Sequence, residues 1–341
     1  MKYIKIYNTR SEYNAAPKED YDMSLIVEED NYVVFYRLKY FNEQYFTIES
    51  LADNNTISIY NTIGSKNEKA PIPDLKYSLN DGKSWTSITV THGNTTTVTT
   101  INSGDKILFK GSNNKLASAW DAYNKISASG NFKVYGNSFS LLYNDNFIGK
   151  TEFASSSTYN LTGLFYEDTN LIDASNLILP ATILTSSCYN GMFRGCSNLI
   201  NAPQLPAINL AEECYSSMFE GCTSLVTAPE LPATNVFRRC YYRMFCMNRT
   251  STVNAAMTKS PLLPATTLAI LSYGEMFEGN GSLTEITCLA TNLNSSGSNL
   301  ATYNWVSYIS QPGVFIKNQE MNWSTGNSGI PPGWTVQNYT E

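Results

Sequence analysis

The second half of the chain repeats itself every 26 residues, and this period limits the possible folds more than any other feature. A first unit contains Leu179-Pro180-Ala181, Cys188-Tyr189, Met192-Phe193, Gly195-Cys196 and Leu199. The second, 26 residues on, contains Leu205-Pro206-Ala207, Cys214-Tyr215, Met218-Phe219, Gly221-Cys222 and Leu225. A third has Leu231-Pro232-Ala233, Cys240-Tyr241 and Met244-Phe245. A fourth follows six extra residues, with Leu263-Pro264-Ala265, Tyr273, Met276-Phe277 and Gly279, and with Ser272 and Asn280 in place of cysteine. Leu164-Phe165 followed by Asn170-Leu171 is a worn precursor. Units this short cannot bury an apolar face alone, so the pattern predicts stacked coils, a solenoid.

With the first cysteine of a unit as position 0, Tyr is +1, Met +4, Phe +5 and the second Cys +8. At about 100° per residue these fall within one arc of about 140°, which predicts an amphipathic helical segment in each coil. The Leu-Pro-Ala step cannot extend that helix backward, because the residue before proline is driven to an extended conformation. Leu199 to Leu205 and its copies read as a short strand and turn, stepped at about 4.8 Å from coil to coil. The repeat tyrosines Tyr189, Tyr215, Tyr241 and Tyr273 lie inside the apolar arc, which favours packing over a sugar platform.

Positions −1, +2 and +3 are expected to face outward. They are Ser187, Asn190 and Gly191 in the first unit, and Glu213, Ser216 and Ser217 in the second. In the third they are Arg239, Tyr242 and Arg243, with Arg238 and Arg249 close by and the insertion following within Cys246–Pro261. Repeat insertions become loops, often on the binding face, and Arg and Tyr are enriched at interaction hot spots. These five residues are the candidate ligand-binding set, for an anionic or sugar-like surface ligand; the competing reading is a solvated basic face.

Other chemistry is thinly represented. The seven cysteines include no Cys-x-x-Cys pair, and their 26-residue spacing reads as buried thiols in a repeat core, not as disulfides or a zinc ribbon. His92 is the single histidine, set in a turn without a partner motif, so His-dependent catalysis is not expected. Asp81-Gly82 reads as a hairpin turn, since the alternating acids of a calcium loop are missing. Glu212 and Glu213 are adjacent and cannot flank one scissile bond in a helix. A non-enzymatic protein without metal or cofactor is therefore expected.

The net charge of −6 argues against a nucleic-acid partner. No apolar run approaches the roughly 18 residues of a membrane span. Residues 1–150 carry 16 acids and 16 bases, whereas residues 151–341 carry 13 acids and 7 bases, so a domain boundary is expected near residues 145–155.

The first half alternates in short runs. Strands are expected at Tyr45–Glu49, Thr56–Tyr60, Leu75–Leu79, Thr86–Val90, Thr95–Ile101 and Lys106–Lys110, with turns between them, which suggests a β-sandwich. Before them, Leu25-Ile26-Val27 and Tyr32 to Tyr36 also read as strands. The opening MKYIKIYNTRSEY lacks the apolar stretch and cleavage site of a signal peptide.

The phrases CYSSMFEGCTSLVTAPELPAT and LPATTLAILSYGEMFEGNGSLTEITCLAT resemble the BspA-like leucine-rich repeats found in gut Bacteroides and their phages. The tail WVSYISQPGVFIKNQEMNWSTGNSGIPPGWTV is similar to the closing segment of such arrays, so the resemblance covers roughly residues 132–341. The opening, YIKIYNTRSEYNAA through MSLIVEEDNYVVFY, resembles the N-terminal virion-attachment segment of crAss-like phage structural proteins, and puts Tyr3, Ile4, Ile6 and Tyr7 forward as anchor residues. Together these imply a mostly β chain: an attachment segment (1–42), a β-sandwich-like spacer (43–142), a leucine-rich-repeat solenoid (143–290) and a C-terminal cap (291–341). The implied role is a non-enzymatic head fibre on the virion surface, made in the host cytoplasm. It would be homotrimeric, bound to capsid or other virion proteins through its N-terminus and touching a host-surface glycan or protein, without nucleic acid or membrane insertion. A tail fibre, or a bacterial BspA-like adhesin, is the alternative.

Overall fold

Alternating apolar residues in the first half meet on a shared core. In β5 (Asn55–Asn61), for instance, Asn55, Ile57, Ile59 and Asn61 are buried, as the two-residue period requires. The computed structural model describes the backbone of residues 4–7, 23–27 and 33–35, and residues 43–154, 157–293, 300–309 and 312–340 in full. It is mostly β, with several open sheets and, among the described residues, one short α-helix.

β1 (Ile4–Tyr7), β2 (Met23–Val27) and β3 (Val33–Phe35) form a small sheet, parallel between β1 and β2 and antiparallel between β2 and β3. The expected strands that follow are present: β4 (Phe46–Ser50), β5, β6 (Leu75–Ser78), β7 (Thr86–Ile88), β8 (Thr95–Ile101) and β9 (Lys106–Gly111). Asn54, Asp81, Gly82, Gly93 and Gly104 take positive φ between them, as tight turns demand. Three further strands, β10 (Ala117–Ala119), β11 (Ala122–Ala128) and β12 (Phe132–Asn137), complete the region. One sheet runs β10-β11-β5-β8; the other runs β13-β12-β4-β9-β6-β7, where β13 is Leu171–Ile178.

Strand pairing joins the two halves on either side of residues 145–155. β13 comes from the second half and pairs in parallel with β12 of the first. Helix α1 (Ser140–Tyr143) lies at the crossing, and just beyond it Asp145 is held by Lys110 at 2.8 Å. The buried apolar residues of both halves form one cluster.

The expected helices are absent. In the first unit, Cys188, Asn190, Met192, Arg194 and Cys196 donate their N–H groups to carbonyls three residues back. The intervening Ser187, Tyr189, Gly191, Phe193 and Gly195 donate instead to Glu212, Cys214, Ser216, Met218 and Glu220 of the next unit. Backbone bonds thus alternate between closing a turn and joining two units. Ser187, Gly191 and Gly195 have φ of 55°, 57° and 77°, so every fourth residue is left-handed and sits third in a turn. The second unit repeats this at Glu213, Ser217 and Gly221, and the fourth at Leu271, Glu275 and Gly279. The period is four, not 3.6. Positions 0, +4 and +8 share one side and +1 and +5 the next, and all five are buried. Both periods place these five residues together, which is why the pattern imitated a helix.

Aromatic rings follow the units. Phe165, Phe193, Phe219, Phe245 and Phe277 stack with centroids 5.4, 5.5, 5.8 and 5.9 Å apart. Tyr189, Tyr215 and Tyr241 stack at 5.7 and 5.9 Å. The strands expected between Leu199 and Leu205, and in the next copy, shrink to single bridges joining Asp173, Asn201 and Thr227. Pro203 and Pro206, like Pro229 and Pro232, deprive those segments of ladder donors.

The row has a direction, and its two ends are closed differently. At the first turn ribbon, residues 159–168, the carbonyls of Asn160 and Leu164 accept N–H groups from Leu116, just before β10, and from Ile126 of β11. At the far end, a ribbon at residues 301–308 carries Trp305-Val306 where the units carry Met-Phe. Its Asn304 and Val306 N–H groups donate to Ser328 Oγ and the Asn327 carbonyl, at 3.0 and 3.1 Å. The region read as a cap thus begins with one more copy of the ribbon. A parallel sheet of β14 (Lys259–Leu263), β15 (Glu285–Cys288), β16 (Val314–Lys317) and β17 (Thr335–Asn338) also runs across residue 290.

Candidate functional site

Position in the ribbon decides what each candidate residue meets, because equal positions of successive units lie side by side. Arg238 and Arg239 stand at −2 and −1 of the third unit, beside Glu212 and Glu213 of the second. Arg238 pairs with Glu212, and Arg239 Nη1 lies 3.3 Å from Glu213 Oε1. Arg243 stands at +3, beside Glu275 of the fourth unit, with Nε to Oε2 at 2.7 Å. Arg249, in the insertion, reaches the same oxygen at 3.3 Å. The Tyr242 hydroxyl donates to Glu275 Oε1 at 2.7 Å.

Tyr242, Arg243 and Arg249 therefore meet at Glu275, with Arg239 beside the Tyr242 ring, while Arg238 is paired separately with Glu212. Tyr242 and Arg243 are half-buried, not free on the surface as a helical phase required, and the Tyr242 ring has the Arg243 and Arg239 guanidinium carbons 4.6 and 5.5 Å from its centroid. Arg238 and Arg249 remain exposed, with 48% and 55% of their side chains accessible. Burial, then the bond to Glu275, push the Tyr242 hydroxyl pKa well up. Burial alone would raise Glu275, but the bonds from Arg243 and Tyr242 outweigh it and hold that carboxyl below its ordinary value. Glu278, one turn on, lacks that cluster of donors. Burial and the negative charge of Glu275 raise its pKa to about 7, and its Oε2 is buried without a partner.

The insertion is not a free loop beside the arginines. The Asn248 side chain accepts Thr250 and Ser251 N–H groups. Thr252 Oγ1 donates to the Tyr308 carbonyl, and Val253 N–H to the Gly279 carbonyl. Sequence reasoning missed the acids of this network. The signal was opposite charge at equal positions of neighbouring units, Glu212-Glu213 against Arg238-Arg239, one 26-residue period apart.

Elsewhere, all seven cysteines are unpaired and buried. The thiols of Cys196 and Cys222 donate to the Phe165 and Phe193 carbonyls at 3.1 Å. His92 is half-buried, with Nδ1 3.1 Å from Asn61 Oδ1, rather than solvated in its turn. Among the proposed anchor residues, Tyr3 lies outside the described residues, while Ile4, Ile6 and Tyr7 belong to β1. Among the described residues, no three His, Cys, Asp or Glu side chains are grouped to hold a metal ion, and no helix is long and apolar enough to cross a membrane.

Compared with known proteins, the chain matches no family model, no curated protein and no solved structure.

Proposed function

We propose that the chain is a non-enzymatic adhesive fibre protein of a phage particle, of the head-fibre type. Its repeat region would be a BspA-like leucine-rich-repeat solenoid displayed outward, the first-half sheets a sandwich-like spacer, and residues 1–42 the attachment to capsid or other virion proteins. One observation carries the reading: the alternating hydrogen bonds that join each turn ribbon to the next. They hold whole columns of side chains at fixed spacing, a surface suited to contact and not to turnover. A homotrimer on the virion would multiply weak contacts with host-surface glycan or protein into firm attachment.

Gold-labelled antibody against the repeat region, applied to purified particles, tests the reading. Label on capsids is expected, together with its loss when residues 1–42 are deleted from an otherwise folded chain. Label on tails would favour a tail fibre instead. Label confined to the bacterial surface would favour an adhesin, and normal incorporation of the truncated chain would remove the anchoring role of residues 1–42.

A further inference from the structure

Each unit crosses one face of the repeat region just after its Leu-Pro-Ala corner, and backbone bonds join neighbours there. Between the first and second units, Leu184 N–H donates to the Asn209 carbonyl at 2.9 Å and Asn209 N–H to the Thr182 carbonyl at 3.3 Å. Beyond the fourth unit, Leu268 N–H donates to the Asn292 carbonyl at 2.9 Å and Thr291 N–H to the Thr266 carbonyl at 2.8 Å. Ile183 pairs with Asn209, and Thr267 with Asn292, in parallel bridges. The third unit interrupts this row. Among the described residues, Asn235 has no bridge partner, and the Leu210 and Val236 N–H groups donate to no carbonyl.

A groove of about 470 Å³ lies at the interruption and spans three units. Its volume is within the range of small-molecule sites. Among the described residues, no charged side chain lines it. Asn209, Thr234, Asn235, Thr266 and Thr267 contribute amides and hydroxyls, and among the described residues their side chains bond to nothing else in the protein. Phe237 stands at the wall 48% exposed, whereas the Phe and Tyr rings of the two stacked columns are buried.

We propose that this groove binds a neutral saccharide. Amides and hydroxyls each both donate and accept, as sugar hydroxyls do, so a polyhydroxylated ligand can satisfy them in either sense. The Phe237 ring offers a flat apolar surface to the C–H face of a sugar ring. An anionic ligand would find no counter-charge, since Arg238, next in sequence to Phe237, is bound to Glu212. The length of the groove across three units suits a short run of sugar residues. The inference names the ligand class of the adhesive reading and rests on it.

Affinity electrophoresis of the full chain in gels containing mannan, galactan, arabinoxylan or acidic polygalacturonate tests the site. Retention by at least one neutral polysaccharide, and none by polygalacturonate, is expected. Phe237→Ala and Asn235→Ala should each weaken retention at least tenfold, with Phe237→Tyr restoring it; both positions are outside the packed core, and melting curves verify folding. Retention by polygalacturonate alone, by no gel, or equally by folded Phe237→Ala would overturn the proposal. Binding to host cells separates the two readings. If the wild-type chain binds cells and the Phe237→Ala chain binds them equally, the groove fails and adhesion stands. If the wild-type chain binds no cells, adhesion itself fails.

Discussion

Arg194 and Glu220 are 26 residues apart in sequence and 3.0 Å apart in space. They hold the same position in consecutive units, as do Arg238 with Glu212 and Arg239 with Glu213. A slip of one unit against the next by a single residue would break these pairs and also move the buried residues out of the core. The charges therefore select the register of the row, as charges flanking a coiled-coil seam do. Most of the pairs are too exposed to add much stability.

The exception is Arg243 with Glu275, of which only 18% and 8% of the side chains are accessible. A double-mutant cycle on Arg243→Ala and Glu275→Ala is expected to give a coupling of about 1–3 kcal/mol in urea unfolding. A coupling near zero would mean that Arg249 and Tyr242 satisfy Glu275 by themselves.

The thiol column should be inert in the native protein. Cys214 is fully buried, and that burial pushes its pKa up to about 12, so thiolate is scarce at neutral pH. Iodoacetamide is expected to label no cysteine before unfolding and all seven after it, as read by mass spectrometry. Cys214→Asp should destabilise by about 3 kcal/mol or more, because it buries a carboxyl without a partner.

Glu278 predicts a pH dependence of known sign. Its native pKa is raised from 4.5 to about 7, so between these values the folded chain holds a proton that the unfolded chain releases. Stability from this group is greatest at low pH and falls as pH rises through that window. Glu275 acts oppositely, since its lowered pKa gives stability that is lost on acidification. Glu278→Gln should raise the melting temperature at pH 8, by on the order of 1–2 kcal/mol in stability, and the gain should vanish by pH 4.5. Equal effects of the variant at both pH values would contradict the buried, proton-holding environment.

Gly279 and Gly104 separate two costs of replacing glycine. Both have positive φ, 77° and 86°. A Cβ on Gly104 meets nothing within 4 Å, so Gly104→Ala should cost only the left-handed penalty, about 1–2 kcal/mol. A Cβ on Gly279 would lie 2.1 Å from the Asn248 carbonyl oxygen. Gly279→Ala should therefore cost more than about 3 kcal/mol, with denaturant midpoints giving the comparison.

Much of this fold is legible in the amino-acid sequence. The strands of the first half declare themselves by alternation and by turn residues such as Asp81-Gly82. The repeat declares itself by Cys, Tyr, Met and Phe at fixed spacing. The backbone within each unit does not, because residues at 0, +1, +4, +5 and +8 satisfy a helix and a four-residue turn ribbon equally. Gly191 and Gly195 hint at the ribbon, but Glu213, Arg239 and Glu275 hold the same left-handed geometry without being glycine. Their N–H groups donate to the next unit, and that tertiary bond overrides local preference. The ribbon at Ala301–Tyr308 is hidden because Trp305-Val306 replaces Met-Phe. The arginine patch is legible as a set of residues, but its meaning needs the columns, since only adjacency shows that each cation faces an acid.

The direction of the row has a consequence for how long such a protein can be. Every unit offers N–H groups on one side and carbonyls on the other, and each end is closed by a structure that answers only one kind of group. A unit inserted between the second and third would find the neighbours that existing units find, and neither end would need to change. Reach therefore comes in whole units, of 26 residues where the repeat is regular, each adding one ring to an aromatic column spaced at 5.4 to 5.9 Å. Duplication or loss of whole units would tune the span of the molecule like links in a chain, while extra residues, as in the insertion of the third unit, leave the ribbon and enter a loop.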